Sequence, residues 1–210
     1  MRLGLISDLH ADAAALGRAL DTLERRGADR VVCMGDIVEK GDDGDRVVDA
    51  LQWNAVAAVR GNHDEAAVVS ARDEGGGGLR DDTVAWLDAL PATRAWQWDG
   101  ARVSIAHGSP WRVDEYVFGD AVPKKMRRAL RSFECDVLVL GHTHRPMVVR
   151  VGALWIVNPG SVACGRTRDS HTCAIVELPS CEVRFYDLDD GSEREVPTRI
   201  VGARGEGEPE

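Results

Sequence analysis

Within the first 65 residues, short apolar runs alternate with amphipathic stretches, and few folds accommodate that alternation. Residues 3–6 read as a strand. From Asp12 to Arg26, Leu16, Leu20 and Leu23 recur at i, i+4 and i+7, which predicts an amphipathic helix closed by Gly27. Residues 30–34 form a second buried strand, Val47, Val48 and Leu51 mark a second helix, and residues 55–59 are a third strand. A βαβαβ opening implies right-handed crossovers and a parallel sheet. Open parallel sheets collect ligands beyond the carboxyl ends of their strands.

Residues 65–80 are less regular and include Gly75–Gly78. A phosphate-cradling loop needs a strand before it and Lys-Ser/Thr after it, and neither is present, so this stretch reads as a flexible connector. A short helix with Val84, Leu87 and Leu90 stops at Pro91. Trp96 and Trp98 precede Asp99-Gly100, a strong hairpin turn into residues 102–106. Met126, Ala129, Leu130 and Phe133 describe a further helix and residues 137–140 a strand. Residues 154–157, 172–177 and 183–186 then read as a largely antiparallel series. Two sheets face to face with outer helices account for the whole, as one domain over residues 1–200. The Gly- and Glu-rich residues 201–210 are expected to be a disordered tail.

Composition narrows the function classes. A net charge of −9 argues against a nucleic-acid polymer as partner, although bound divalent cations would invert the sign locally and admit a small anionic substrate. No run approaches the roughly 20 apolar residues that cross a bilayer, and the first strand is too short for a signal peptide, so a soluble, unprocessed, cytoplasmic chain is expected. The cysteines number five, with no C-x-x-C pair. Cys33, Cys135 and Cys173 lie in or beside apolar runs and read as buried thiols in a reducing compartment. Oligomeric state is not readable from the sequence.

Five of the six histidines fall in short motifs at the ends of the apolar runs: Asp8-Leu9-His10, Gly61-Asn62-His63-Asp64, His107-Gly108 and Gly141-His142-Thr143-His144. Gly35-Asp36 occupies the same kind of position. In extended backbone, side chains at i and i+2 share a face, which would let Asp8 with His10, and His142 with His144, reach one ion together. Carboxylates, imidazoles and an amide oxygen form a mixed N/O set suited to manganese, iron or zinc, and the lack of thiolates argues against a structural zinc site. Asp36, with two oxygens, can bridge two ions. Singly, each residue has an ordinary reading as a cap, turn former or surface group; the shared strand-end placement sets them apart. His171 belongs to no motif and reads as structural or exposed. Asp42-Asp43-Gly44-Asp45 resembles a calcium loop only superficially, since Trp53 stands where its glutamate belongs.

With D-x-H, G-D, G-N-H-D, H-G and G-H-x-H in this order, the chain resembles the calcineurin-like metallophosphoesterase superfamily from residue 3 to about residue 188. It is most similar to the small single-domain bacterial and archaeal phosphodiesterases, which share the runs at 141–146 and 158–161. The resemblance implies a four-layer α/β/β/α sandwich and a dinuclear centre. It places Asp8, His10 and His144 on one metal, Asn62, His107 and His142 on the other, and Asp36 between them. It also makes His63 the proton donor to the leaving group, positioned by Asp64. Small phosphodiesters are the implied substrates, and monoesters, nucleotide polyphosphates or phosphoproteins use the same core. A protein-binding scaffold is the alternative, although such relatives have eroded catalytic positions and this chain has none. Where relatives carry Pro-Arg after the run at 158–161, this chain has Val162 to Arg166, so Arg166 and Arg168 are candidates for a substrate phosphate, with surface arginine an equal reading. Trp111 is a candidate for the cleft wall, with core packing as its alternative.

Overall fold

The computed structural model describes residues 1–74, 78–119, 122, 126, 129–130, 133–163 and 171–201. The chain opens with β1 (Arg2–Ile6), α1 (Ala13–Arg25), β2 (Arg30–Cys33), α2 (Gly44–Trp53) and β3 (Ala57–Ala58). Two helices follow, α3 (Asn62–Glu74) and α4 (Asp81–Asp88), then β4 (Thr93–Trp98), β5 (Ala101–Ala106) and β6 (Val137–Val139). The remainder is β7 (Met147–Val151), β8 (Leu154–Asn158), β9 (Thr172–Glu177), β10 (Glu182–Asp187), β11 (Glu193–Arg194) and β12 (Thr198–Val201).

The strands form two sheets, ordered β11-β10-β9-β1-β2-β3 and β12-β7-β8-β6-β5-β4. In the first, β1, β2 and β3 run parallel, as the βαβαβ opening requires, and β9 joins β1 antiparallel. Alternation along each strand sorts its side chains between layers. Leu3, Leu5, Val32 and Met34 face the second sheet, where they meet Val103, Ile105, Val137, Val139 and Val157. Ile6 and Cys33 face outward to Leu16, Ala19, Leu23, Val47 and Leu51 of the first helices. Gly4 lets α1 come close, because a methyl there would already touch Leu23 and Val31. On the far side, Leu138, Val149 and Ile156 pack with Met126 and Leu130. Two mixed sheets flanked by helices give the expected α/β sandwich.

One local reading changes and another is refined. Residues 65–74, read as a connector, belong to helix α3: Gly61 N–H donates to Asp64 Oδ2 at 2.8 Å, and this side-chain cap starts it. Weak amphipathic contrast along this helix, with Val68 buried beside an exposed Val69, hid it from pattern reading. The second half is largely antiparallel as expected, at β4–β5, β7–β8, β9–β10 and β10–β11, although β5, β6 and β8 are parallel neighbours within the second sheet. The long β5–β6 connection supplies the crossover that a parallel pair needs. The helix expected around Met126–Phe133 is described only in part, and residues 75–77 and 202–210 lie outside the described residues. Cys33, Cys135, Cys173 and also Cys181 are free and buried, and among the described residues no helix is long and apolar enough to cross a membrane.

Candidate metal centre

Five parallel strands from both sheets end at one place. Asp8 follows β1, Asp36 follows β2, Asn62 follows β3, His107 follows β5, and His142 and His144 follow β6. Their loops are stitched to one another: Asp8 N–H donates to Gly35 O, His10 N–H to Asp36 O, and Gly141 N–H to His107 O, all within 3.0 Å. Two motif glycines are required by crowding. A methyl at Gly61 would overlap the Asp36 carboxylate, and one at Gly141 would overlap the Ser7 hydroxyl.

The i, i+2 pairs converge for a different reason than extended backbone. Asp8, His10, Asp36, His142 and His144 all have positive φ, between 46° and 67°. Each left-handed turn costs on the order of 1 kcal/mol or more for a residue with a side chain, and such strain concentrates where geometry serves function. The turns aim imidazoles and carboxylates into one pocket that a pleated strand would have splayed.

Two groups result, each with ligand atoms mutually within 4.8 Å: Asp8, His10, Asp36 and His144, and then Asp36, His107 and His142. Asp36 belongs to both. Its Oδ2 lies 3.8 Å from His10 Nε2 and its Oδ1 lies 3.3 Å from His107 Nε2. His144 Nε2 is 3.2 Å from both His10 Nε2 and Asp8 Oδ1. Asp8 Oδ1, Asn62 Oδ1, His107 Nε2 and His142 Nε2 are buried with no hydrogen-bond partner. A buried polar atom left so costs about 1–3 kcal/mol. Four such atoms, all on expected ligands and of metal-binding type, fit divalent cations.

Electrostatics agree. Burial would raise the Asp36 carboxyl, but the charge of the close His107 imidazole, with the His63 N–H donating at 3.0 Å, overcomes this and holds Asp36 well below the usual carboxylate range. Burial would likewise lower His107, yet Asp36 outweighs it and raises the imidazole to about 9. Its Nδ1 is turned to Met34 O at 2.6 Å, which points Nε2 inward. His10 is lowered to about 4 by burial, so it is neutral at pH 7 and able to donate a lone pair.

His63 sits at the rim, its Nε2 4.0 Å from Asp36 Oδ2. Glu39 Oε2 lies 2.5 Å from His63 Nδ1. Asp64, expected to position His63, instead accepts from the backbone N–H groups of Ile37, Val38 and Gly61 and ties the Asp36 loop to α3. Its burial, with Asp36 nearby, raises it to about 7. Lys40 brings an ammonium to 2.9 Å from His10 Nε2. Asn158 and Ser161 of the run at 158–161 are buried clamps: Asn158 Nδ2 donates to Gly141 O at 2.6 Å, and the Ser161 hydroxyl donates to Asp8 O at 2.9 Å.

Trp111 is half-exposed with its ring against Phe133, and Tyr116 takes the place beside the ligands, 4.0 Å from the His142 ring. Arg166 and Arg168 lie outside the described residues. His171 is buried between Asp189, at 2.6 Å, and Arg18, at 3.2 Å, a structural role. Sequence reading missed Glu39, Lys40 and Tyr116 because no spacing rule marks them. For Glu39 the adjacent Gly35-Asp36 motif was the available signal.

The calcineurin-like phosphoesterase superfamily domain matches residues 1–180. The chain belongs to that superfamily. It is therefore a hydrolase of phosphoric esters, with the expected fold. An uncharacterised protein of Methanocaldococcus jannaschii is 26% identical over 244 residues, covering 97% of this chain and 96% of its own length. The phosphodiesterase YfcE of Escherichia coli is 28% identical over 166 residues, 78% of this chain and 80% of its own. Among solved structures, a metallophosphoesterase from Sphaerobacter thermophilus superposes with a TM-score of 0.72 at 26% identity, covering 88% of this chain and 86% of that one.

Proposed function

We propose that this phosphoesterase hydrolyses small phosphodiesters at a pair of divalent cations, with manganese, iron or zinc as the metals. Asp8, His10 and His144 would hold one cation, Asn62, His107 and His142 the other, with Asp36 shared between them. One observation carries the reading: Asp36 belongs to both ligand groups and turns a different oxygen to each. When bound, such a pair supplies Lewis-acid activation of the attacking water and neutralises charge on the phosphoryl oxygens.

The chain's own residues do the rest. Asn62 and His63 open α3 at the pocket, so the partial positive charge of the helix start faces an anionic ester. With Glu39 accepting from Nδ1, His63 presents Nε2 towards the pocket, where a proton carried on that atom passes to the leaving oxygen. Lys40 adds a cation beside His10 for an equatorial oxygen. Preference for diesters rests on the similarity to the E. coli phosphodiesterase. The buried free thiols fit a reducing cytoplasmic setting.

Purified protein supplied with manganese is expected to turn over bis-p-nitrophenyl phosphate. His63→Ala should keep its metal and lose about a hundredfold or more in kcat. Absence of turnover with manganese, iron and zinc alike would sink the activity, and loss of metal in the variant would contradict the role given to His63.

A further inference from the structure

Beyond the ligands, an unbroken run of side chains leads away from the centre. The exposed Tyr116 ring lies 4.0 Å from His142, and Phe118 stacks on Tyr116 at 5.8 Å with the planes 4° apart. Arg145, the residue after His144, sets its guanidinium over Phe118 at 5.6 Å. Phe118 and Arg145 then form one wall of a cavity of about 280 Å³, with Arg194, Glu195 and Arg199 on the other. β12 pairs parallel with β7 from Thr198 opposite Val148, which brings this second wall to the end of the sheet where the 141–146 loop sits.

Three guanidinium groups around one cavity run against a net charge of −9. Glu195 lines it too, and Asp187 stands 3.9 Å from Arg194, so the lining keeps an excess of positive charge. Planar guanidinium forks match phosphate oxygens in pairs, and an exposed aromatic face takes a base by stacking. From the centre outward the order is ligand set, aromatic face, arginine cavity. A molecule with a phosphate, a nucleoside and a second phosphate presents its groups in the same order.

Resting on the phosphodiesterase reading, we propose that the cavity of Arg145, Arg194 and Arg199 is a second anion subsite. It takes the distal phosphate of a nucleotide-type ester whose base lies on Tyr116.

Adenosine 3′,5′-bisphosphate titrated calorimetrically into the protein in EDTA tests this without turnover or metal. The wild type is expected to bind it, and Arg145→Ala/Arg199→Ala to bind at least tenfold more weakly. Both side chains are exposed, so the fold should survive their truncation. Arg102→Ala/Arg184→Ala removes the same charge from positions outside the cavity and should bind as the wild type does. No binding by the wild type, or an equal loss in the two double variants, overturns the subsite. Either result leaves the diesterase reading standing, and failure with bis-p-nitrophenyl phosphate would leave the anion-binding cavity but remove its role as a substrate subsite.

Discussion

At the scale of single residues, the proposed reaction divides one task between His63 and Glu39. A proton donor is useful only if its ring cannot rotate out of line, and the 2.5 Å contact from Glu39 to Nδ1 fixes that ring. Glu39→Ala should lower kcat by about tenfold, less than the roughly hundredfold or greater loss for the acid itself, with metal content unchanged. An unaltered kcat would remove Glu39 from the mechanism. His107 makes a second prediction. Raised to about 9 by its contact with Asp36, it carries a proton at pH 7 in the metal-free protein. A cation needs Nε2 bare, so metal uptake at pH 7 should release about one proton. The sign follows: affinity climbs as pH rises towards about 9 and levels above it, where the proton has already left. Calorimetry in two buffers of different ionisation heat counts the proton, and none released near pH 7 would contradict the assignment.

At the scale of elements, strand ends and clamps decide where the ligands stand. Asn158, at the end of β8, holds Gly141 O and the Thr143 hydroxyl and accepts from Gly160 N–H. Asn158→Ala strands these buried groups and should destabilise the protein by about 1–3 kcal/mol while weakening metal binding; chemical denaturation with metal titration checks both. The ligand loops were legible because histidine is scarce and each motif follows a strand with a clear apolar run. Their convergence was read for the wrong reason, since spacing carries no trace of the left-handed turns at Asp8, His10, His142 and His144. Helix α3 was illegible because its start depends on a cap between Gly61 and Asp64 that doubles as part of the site. The parallel set β5, β6 and β8 inside the largely antiparallel second half was hidden because periodicity fixes which face is buried and says nothing of strand direction. Tyr116 and the arginine cavity depend on long-range packing alone.

At the scale of the whole molecule, the two sheets are halves of one centre. The first carries Asp8, His10 and Asp36, the second His107, His142 and His144, and both candidate ligand groups draw on both sheets. The intersheet layer of Leu5, Met34, Ile105 and Val139 therefore sets the spacing of the ligands as well as the stability of the fold. Close packing permits little slack in that spacing. The most direct test is metal content per chain by plasma mass spectrometry in wild type and Asp36→Ala. The wild type should hold about two divalent cations and the variant fewer than about one, because removing the shared carboxylate weakens both positions. A wild type that takes up only trace metal, or a variant that keeps both ions, would contradict the account.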